Sequence, residues 1–211
     1  MEHKKKRAHK EDRRKEIMRV AARLFANKGY DGASLSELAA EMDITKAALY
    51  HHIENKEEIL RVICDEVLEK QMKETRRMQK SNLSPRDKLK WYIRGVVRGV
   101  TEEQNVMRVY FESVNSLSPE ARDRLQKQKK AFDKMLELIL REGVEKGYFN
   151  IHDFKIAVFV IQGAANFGYQ WYRPKGRLTP EEIAEEIIYM LERGYLNQSS
   201  DLRTVQLRNM D

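Results

Sequence analysis

The chain has 211 residues, 35% of them charged, a formal net charge of +7 and one cysteine. That length accommodates one small and one larger helical domain around a shared core, while the lone Cys64 excludes an internal disulfide and a cysteine-built zinc site. No stretch has the apolar length of a membrane span or a signal core, so a soluble, cytoplasmic protein with no membrane partner is expected. Charge is distributed unevenly: residues 1–15 carry eight cations against three acids, and residues 16–60 carry five against eight. Attraction to a polyanion such as DNA therefore falls to a basic flexible arm over 1–15, able to follow phosphates or enter a minor groove. A solvated leader that only aids solubility is the plainer alternative.

Residues 34–53 read SLSELAAEMDITKAALYHHI. Ser34 and Glu37 stand in the S-x-x-E relation of a capping box, which predicts a helix from Leu35 with Leu38, Ala39 and Met42 on its buried stripe. Asp43 and Ile44 interrupt that stripe, and Thr45 offers a second N-cap. Ala48, Leu49 and Ile53 then form the inner face of a second short helix whose outer face carries Lys46, Ala47, Tyr50, His51 and His52. Small and hydrogen-bonding side chains with one cation at the start of a helix suit a major-groove reader, where backbone must approach closely and polar tips must reach base edges and phosphates.

With these residues in view, the run IMRVAARLFANKGYDGASLSELAAEMDITKAALYHHIENKEEIL, residues 17–60, resembles the DNA-binding domain of the TetR family of bacterial transcriptional repressors. The resemblance implies an all-α chain, with a three-helix helix-turn-helix domain at 16–55, a helical ligand-binding and dimerisation domain at 56–197 and a polar tail at 198–211. It also implies a homodimer on palindromic operator DNA, contacted through Ser34, Thr45, Lys46, Ala47, Tyr50, His51 and Lys56. Two positions depart from the pattern. Asp43 stands where the family commonly has glycine, and His52, Ile53 and Glu54 replace an aromatic-Phe-Pro run; aspartate tolerates left-handed backbone, so the turn stays feasible.

Beyond the reader, Asn55 and Glu58 form another capping pair opening a helix over 56–79, with Ile59, Leu60, Ile63, Cys64, Val67, Leu68 and Met72 at helical spacing. Ser84-Pro85, Ser118-Pro119 and Thr179-Pro180 each place a hydroxyl before a proline at the first helical position. Helices are thus predicted near 85–101, 119–146, 154–173 and 180–195, with a short one at 103–114. Gly143 and Gly147 are read as the end of the second, Pro174 and Gly176 as the end of the third. Gly95 and Gly99 permit a close helix approach or a kink.

Of 18 Phe, Trp and Tyr, only Phe25, Tyr30 and Tyr50 precede residue 56. Trp91, Tyr92, Met107, Tyr110, Phe111, Phe132, Met135, Phe159, Asn166, Phe167, Tyr169 and Gln170 are candidates to line a pocket, each with ordinary core packing as the alternative. The segment QGAANFGYQWYRPKGRLTPEEIAEEI, residues 162–187, further resembles TetR-type repressors of fatty-acid and steroid-ring degradation, whose members respond to acyl-CoA thioesters. It implies an acyl-CoA effector, with Arg173, Lys175 and Arg177 at a tunnel mouth and Arg94, Arg98 and Arg108 as further candidates for its phosphates. A structural corner at Trp171 to Pro174 is the alternative. Phe154, Val158, Ile161, Ala165, Ile183, Ile187 and Leu191 are the expected dimer interface, a four-helix packing of 154–173 and 180–195 with their symmetry mates.

Enzymatic and metal-binding readings find no support. His51 and His52 are adjacent on a helix, so they point roughly 100° apart and do not converge on one ion. No cofactor site is expected. A multidrug or aromatic-compound sensor, and a ligand-independent nucleoid or division-associated DNA binder, remain as alternatives to an acyl-CoA-responsive repressor.

Overall fold

The computed structural model describes residues 2–193, and every element among them is helical. The first helix, α1 (Glu2–Lys28), starts far earlier than the domain boundary at residue 16. Residues 1–28 contain neither glycine nor proline, so nothing interrupts the ladder and the segment read as a flexible arm continues α1. Ile17, Ala21, Leu24 and Phe25 recur at helical spacing and are buried; Gly29, at φ 76°, then turns the chain out.

The reader comprises α2 (Leu35–Glu41) and α3 (Lys46–Tyr50). Ser34 and Glu37 form the full capping box, and Thr45 Oγ1 accepts from the Ala48 N–H. Between them Asp43 lies at φ 52° and the Ile44 N–H bonds the Ala39 carbonyl at 3.0 Å, so the turn is closed through a left-handed aspartate. Next, α4 (Lys56–Gln79) begins where Asn55 Oδ1 accepts the Glu58 N–H and buries Ile59, Leu60, Ile63, Cys64, Val67 and Leu68. It packs against α1, the two helices that follow and α7 below, so one helix belongs to both halves.

The regulatory half continues with α5 (Pro85–Glu102), capped by Ser84, and α6 (Gln104–Ser113), which packs on both α1 and α4. Gly95 and Gly99 lie where an added Cβ would meet nothing within 4 Å, so neither serves a close approach inside this chain, and α5 runs through both. In α7 (Pro119–Glu145) the expected Ser118 cap is not made by its hydroxyl; instead the Ser118 N–H donates to Glu57 Oε1 at 2.9 Å, joining the start of α7 to the start of α4. Gly147, at φ 74°, ends α7: its N–H bonds the Val144 carbonyl and the Tyr148 N–H bonds the Gly143 carbonyl, the paired pattern of a Schellman stop. Gly143 itself lies inside the helix, and a Cβ there would fall 2.0 Å from the Phe149 ring.

The helix expected over 154–173 is divided. α8 (Phe154–Asn166), capped by Asp153, stops at Phe167, and α9 (Gly168–Trp171) follows. Gly168 sits against Val100, where a Cβ would lie 3.3 Å from Val100 Cγ1, and the Gln104 amide donates to the Tyr169 and Tyr172 carbonyls at 2.9 and 3.0 Å. A close crossing and a side chain from α6 thus terminate a stretch whose own sequence favours continuation. α10 (Pro180–Leu191) has a full capping box between Thr179 and Glu182 and packs chiefly on α5. The expected tail at 198–211 lies outside the described residues. No helix among those described is long and apolar enough to cross a membrane.

Candidate DNA interface and effector grooves

Thr45, Lys46, Ala47, Tyr50 and His51 are all exposed on α3 and its ends, with Tyr50 47% accessible. Leu38, Leu49 and Ile53 lie buried behind them, so the outer side chains stand on a fixed base. Two of the sequence-predicted contacts are used differently. Ser34 Oγ accepts the Glu37 N–H and donates to Glu37 Oε2, which commits the hydroxyl to the α2 cap. Lys56 Nζ lies 4.3 Å from the Tyr30 ring centroid and donates to the Asp31 carbonyl at 3.5 Å; desolvation lowers its pKa, and the lysine ties α4 to the α1–α2 loop.

The structure adds a residue that spacing mis-assigned. Glu58 does cap through its N–H, but its buried carboxylate bypasses Asn55 and accepts the Glu54 N–H at 2.6 Å and Arg14 Nη2 at 2.6 Å. Arg14 also donates to the His52 carbonyl at 3.2 Å. Burial alone would raise the pKa of Glu58, yet the Glu54 and Arg14 bonds outweigh it and leave the carboxyl below its usual value. This clamp fixes the end of the reader to α1 and α4. Flanking it, Lys28 pairs with Glu37 and Arg23 with Glu41, joining α1 to α2.

The predicted pocket residues separate into groups. Tyr110 and Phe111 of α6, Tyr169 of α9 and Phe167 form an aromatic ladder with successive centroids 5.1, 5.0 and 6.5 Å apart, and Gln170 donates to the Tyr169 hydroxyl. Met107, Tyr110 and Tyr169 are buried there as packing, while Asn166 Oδ1 is buried with no hydrogen-bond partner. Trp91 is exposed on α5, away from the ladder's buried side chains. Tyr92 stacks on Phe132 at 5.8 Å, and Met135 uses its carbonyl to receive the Gln79 amide. The apolar cavity among Leu89, Ile93, Leu140, Phe149, Ile161 and Ile188 is about 20 Å³, far too small for an acyl chain.

Two large concavities lie on either side of α7. The α7–α8 groove, about 700 Å³, joins apolar Phe154, Val158 and Phe159 to Lys129, Lys130, Lys134, Arg141 and Lys155, with Asp133, Glu137 and Asp153 among them; Glu137 pairs with Lys134 and Arg141. At its wall, Asp133 accepts from Lys129 at 2.7 Å and from the buried Gln162 amide at 2.8 Å, and Gln162 also reaches the Tyr92 hydroxyl. The α4–α7 groove, about 850 Å³, is lined by charged and polar residues apart from Met72. At the predicted tunnel mouth Arg173, which is exposed, donates through Nη1 to the Gln170 and Tyr172 carbonyls, and Tyr172 is buried. Lys175 and Arg177 are exposed, and Arg94 pairs with Glu185 at 2.6 Å. Cys64 is buried, with its thiol pushed up to about 12 by burial.

The expected dimer-interface residues require correction. Val158, Ile161, Ala165 and Ile183 are buried in the chain's own core, and Phe154, Ile187 and Leu191 are half-buried against it. The other side of α8 is the open one: Ile156 (55% accessible), Val160 (44%) and Phe167 (55%) form a stripe with Gly163, alongside Tyr189 and Met190 (69%) on α10.

Comparison with known proteins agrees with this architecture. Residues 17–63 match the family described as bacterial regulatory proteins, tetR family, and residues 82–195 match the tetracyclin repressor-like C-terminal domain. The solved structure of the TetR family regulator PfmR from Thermus thermophilus is 31% identical, with a TM-score of 0.78 over 84% of this chain and 97% of that one. AibR in complex with isovaleryl coenzyme A and operator DNA is 30% identical, with a TM-score of 0.77 over the same shares. The transcriptional repressor KstR2 of Rhodococcus jostii is 27% identical over 85% of this chain and 89% of its own length. The chain thus belongs to the TetR family, as a helix-turn-helix transcriptional repressor built to respond to a ligand.

Proposed function

We propose that this chain is a homodimeric repressor that reads a palindromic operator with α3 and leaves it when an acyl-CoA occupies the α7–α8 groove. The observation that carries the effector is the composition of that groove, two phenylalanine rings beside five cations that outnumber its three carboxylates and of which Lys130 and Lys155 make no ion pair among the described residues, which suits a ligand with an acyl end and a phosphate end. The similarity to AibR, solved with isovaleryl coenzyme A, supports the same class. In this reading 16–55 is the reader and 56–197 the regulator, with α4 common to both. Coupling runs through the aromatic ladder: displacement of α8 and α9 moves Tyr169 against Phe111, and α6 bears directly on α1 and α4. The open stripe of Ile156, Val160 and Phe167, together with Tyr189 and Met190, is the dimer face, and Gly163 leaves room for a symmetry mate to approach.

The test is operator release in a gel shift at fixed salt, with isovaleryl-, octanoyl- and lauroyl-CoA beside their free acids. Release by one or more CoA esters at micromolar concentration, about −8 kcal/mol of binding, with weaker action of the free acids, is the expected result. Replacing Lys130 and Lys155 by glutamine should then raise the concentration required. Release by free acids or hydrophobic drugs, with the whole acyl-CoA panel inert, would replace this reading by a multidrug or aromatic-compound sensor.

A further inference from the structure

The groove between α4 and α7 has a different chemistry from its neighbour. Lys73, Arg76 and Lys80 occupy one side of α4 at i, i+3 and i+7, Arg77 lines the same space, and Arg124 enters from α7. Only Asp65 and Glu69 oppose these five cations. Arg124 is held in place: its Nη2 lies 2.5 Å from Asp65 Oδ2, and Arg61 Nη1 approaches the same oxygen at 3.6 Å. Arg77 is paired with Glu74 at 3.0 Å, whereas Lys73, Arg76 and Lys80 make no ion pair among the described residues. The negative C-terminus of α4 accounts for cations in its last turn. It does not account for Lys73, in the turn before, or for an arginine supplied by another helix and oriented into the same concavity.

Like charges four apart on one helix face destabilise it slightly, and an anion between them offsets that repulsion. A volume of about 850 Å³ fits a small molecule. Met72 is the one apolar residue lining the groove, and no aromatic ring lines it, so an acyl chain or a nucleobase finds mainly lysine and arginine methylenes there. We propose that the α4–α7 groove is a binding site for a small polyphosphate anion, recognised by its phosphate chain and separate from the α7–α8 groove. Because α4 carries Asn55 and Glu58 at its other end, an anion bridging α4 to α7 acts on the helix that holds the reader.

Isothermal titration of the full chain at constant ionic strength tests this, with tripolyphosphate, ATP and orthophosphate as probes. Tripolyphosphate should bind saturably, once per chain, with ATP within about threefold because the base adds no contact, and orthophosphate should be much weaker because its charge is smaller. The triple change Lys73→Gln, Arg76→Gln and Lys80→Gln, and separately Arg124→Gln, should each weaken tripolyphosphate by about tenfold or more while leaving phosphate-free operator affinity unchanged. Lys130→Gln with Lys155→Gln, in the other groove, should leave it unaltered. Non-saturating titration, equal losses from both groove variants, or undiminished binding by the triple variant would each overturn the proposal. ATP binding far more tightly than tripolyphosphate would overturn recognition by phosphate alone.

Discussion

Helices α2 and α3 and helices α8 and α10 begin in the same way, with a capping oxygen from Ser34, Thr45, Asp153 or Thr179 followed by apolar residues at helical spacing. They differ in how many faces are apolar. In α2 the buried side chains are Leu38 and Ala39, Leu35 is half-buried beside them, and the remaining positions are polar or small, so inside and outside follow from spacing. In α8, the run Ile156 to Ala165 is apolar on nearly every side. Spacing there shows a helix without showing which stripe turns inward, because a helix serving a core and a partner presents an apolar stripe to each. Ala157, Val158, Ile161 and Ala165 face the core; Ile156, Val160 and Phe167 do not.

The strongest attack on that contrast uses two isoleucines of α8. Ile161→Ala should cost about 2–5 kcal/mol of unfolding free energy, as for other buried isoleucines, at any protein concentration. Ile156→Ala should cost no more than about 0.5 kcal/mol in the monomer, since more than half of the residue is exposed, and its effect should grow with protein concentration if that stripe pairs two chains. Urea unfolding at several concentrations separates the two. Equal, concentration-independent losses would mean that the faces of α8 are wrongly assigned. A second packing test is Gly143→Ala, whose methyl group would collide with the Phe149 ring; overpacking of about 1–3 kcal/mol is expected in thermal melts.

On the reader, the contrast sharpens into separate losses of binding and folding. Tyr50→Ala and Lys46→Ala should each weaken operator binding by roughly 1–3 kcal/mol with unfolding unchanged, because both side chains are exposed. Anisotropy titrations at fixed salt would remove either residue from the interface if affinity were unaltered.

What the sequence disclosed was mostly local. Ser34, Thr45, Asn55, Ser84 and Thr179 accept the backbone donors expected of them, since a cap depends on neighbours three residues away. What it withheld depends on distant partners. The break at Phe167 needs Val100 and Gln104, the ties of Lys56 need Tyr30 and Asp31, and the α4–α7 groove needs two helices some forty residues apart in the chain. Arg173 was readable as a ligand contact or a corner, and the backbone carbonyls it reaches through Nη1 are brought together only by the turn.

Glu58 joins the local and distant kinds, and pH isolates it. Its folded pKa is lowered, so its contribution is fully present above the unfolded carboxylate value and declines as pH falls through the lower folded value. Stability measured from neutral to acid pH should therefore drop less steeply for Glu58→Gln than for the native chain, and from a lower starting point. Parallel curves would show that the Arg14 and Glu54 bonds carry no charge-dependent stability. Glu37 behaves likewise, with its carboxyl lowered to about 2 chiefly by Lys28, so its share is lost between the ordinary carboxylate range and about pH 2.

The smallest effect belongs to Asp43, where the reader departs from the family's common glycine. Its φ of 52° places an L-residue in left-handed backbone, a conformation that costs most residues roughly 1–2 kcal/mol and aspartate less. Glycine removes that cost but gives the unfolded chain more freedom, a loss of about 0.5–1 kcal/mol. The two nearly cancel, so Asp43→Gly should change stability by no more than about 1 kcal/mol, towards the stable side, with operator affinity intact because Leu38 and Leu49 still fix the helices. Asp43→Ala keeps the backbone cost, loses the short polar side chain and should be the less stable of the two. Were alanine to equal or exceed glycine in thermal melts, positive φ would not be what selects the residue at this turn, and the close match between local chemistry and structure in the reader would fail at its centre.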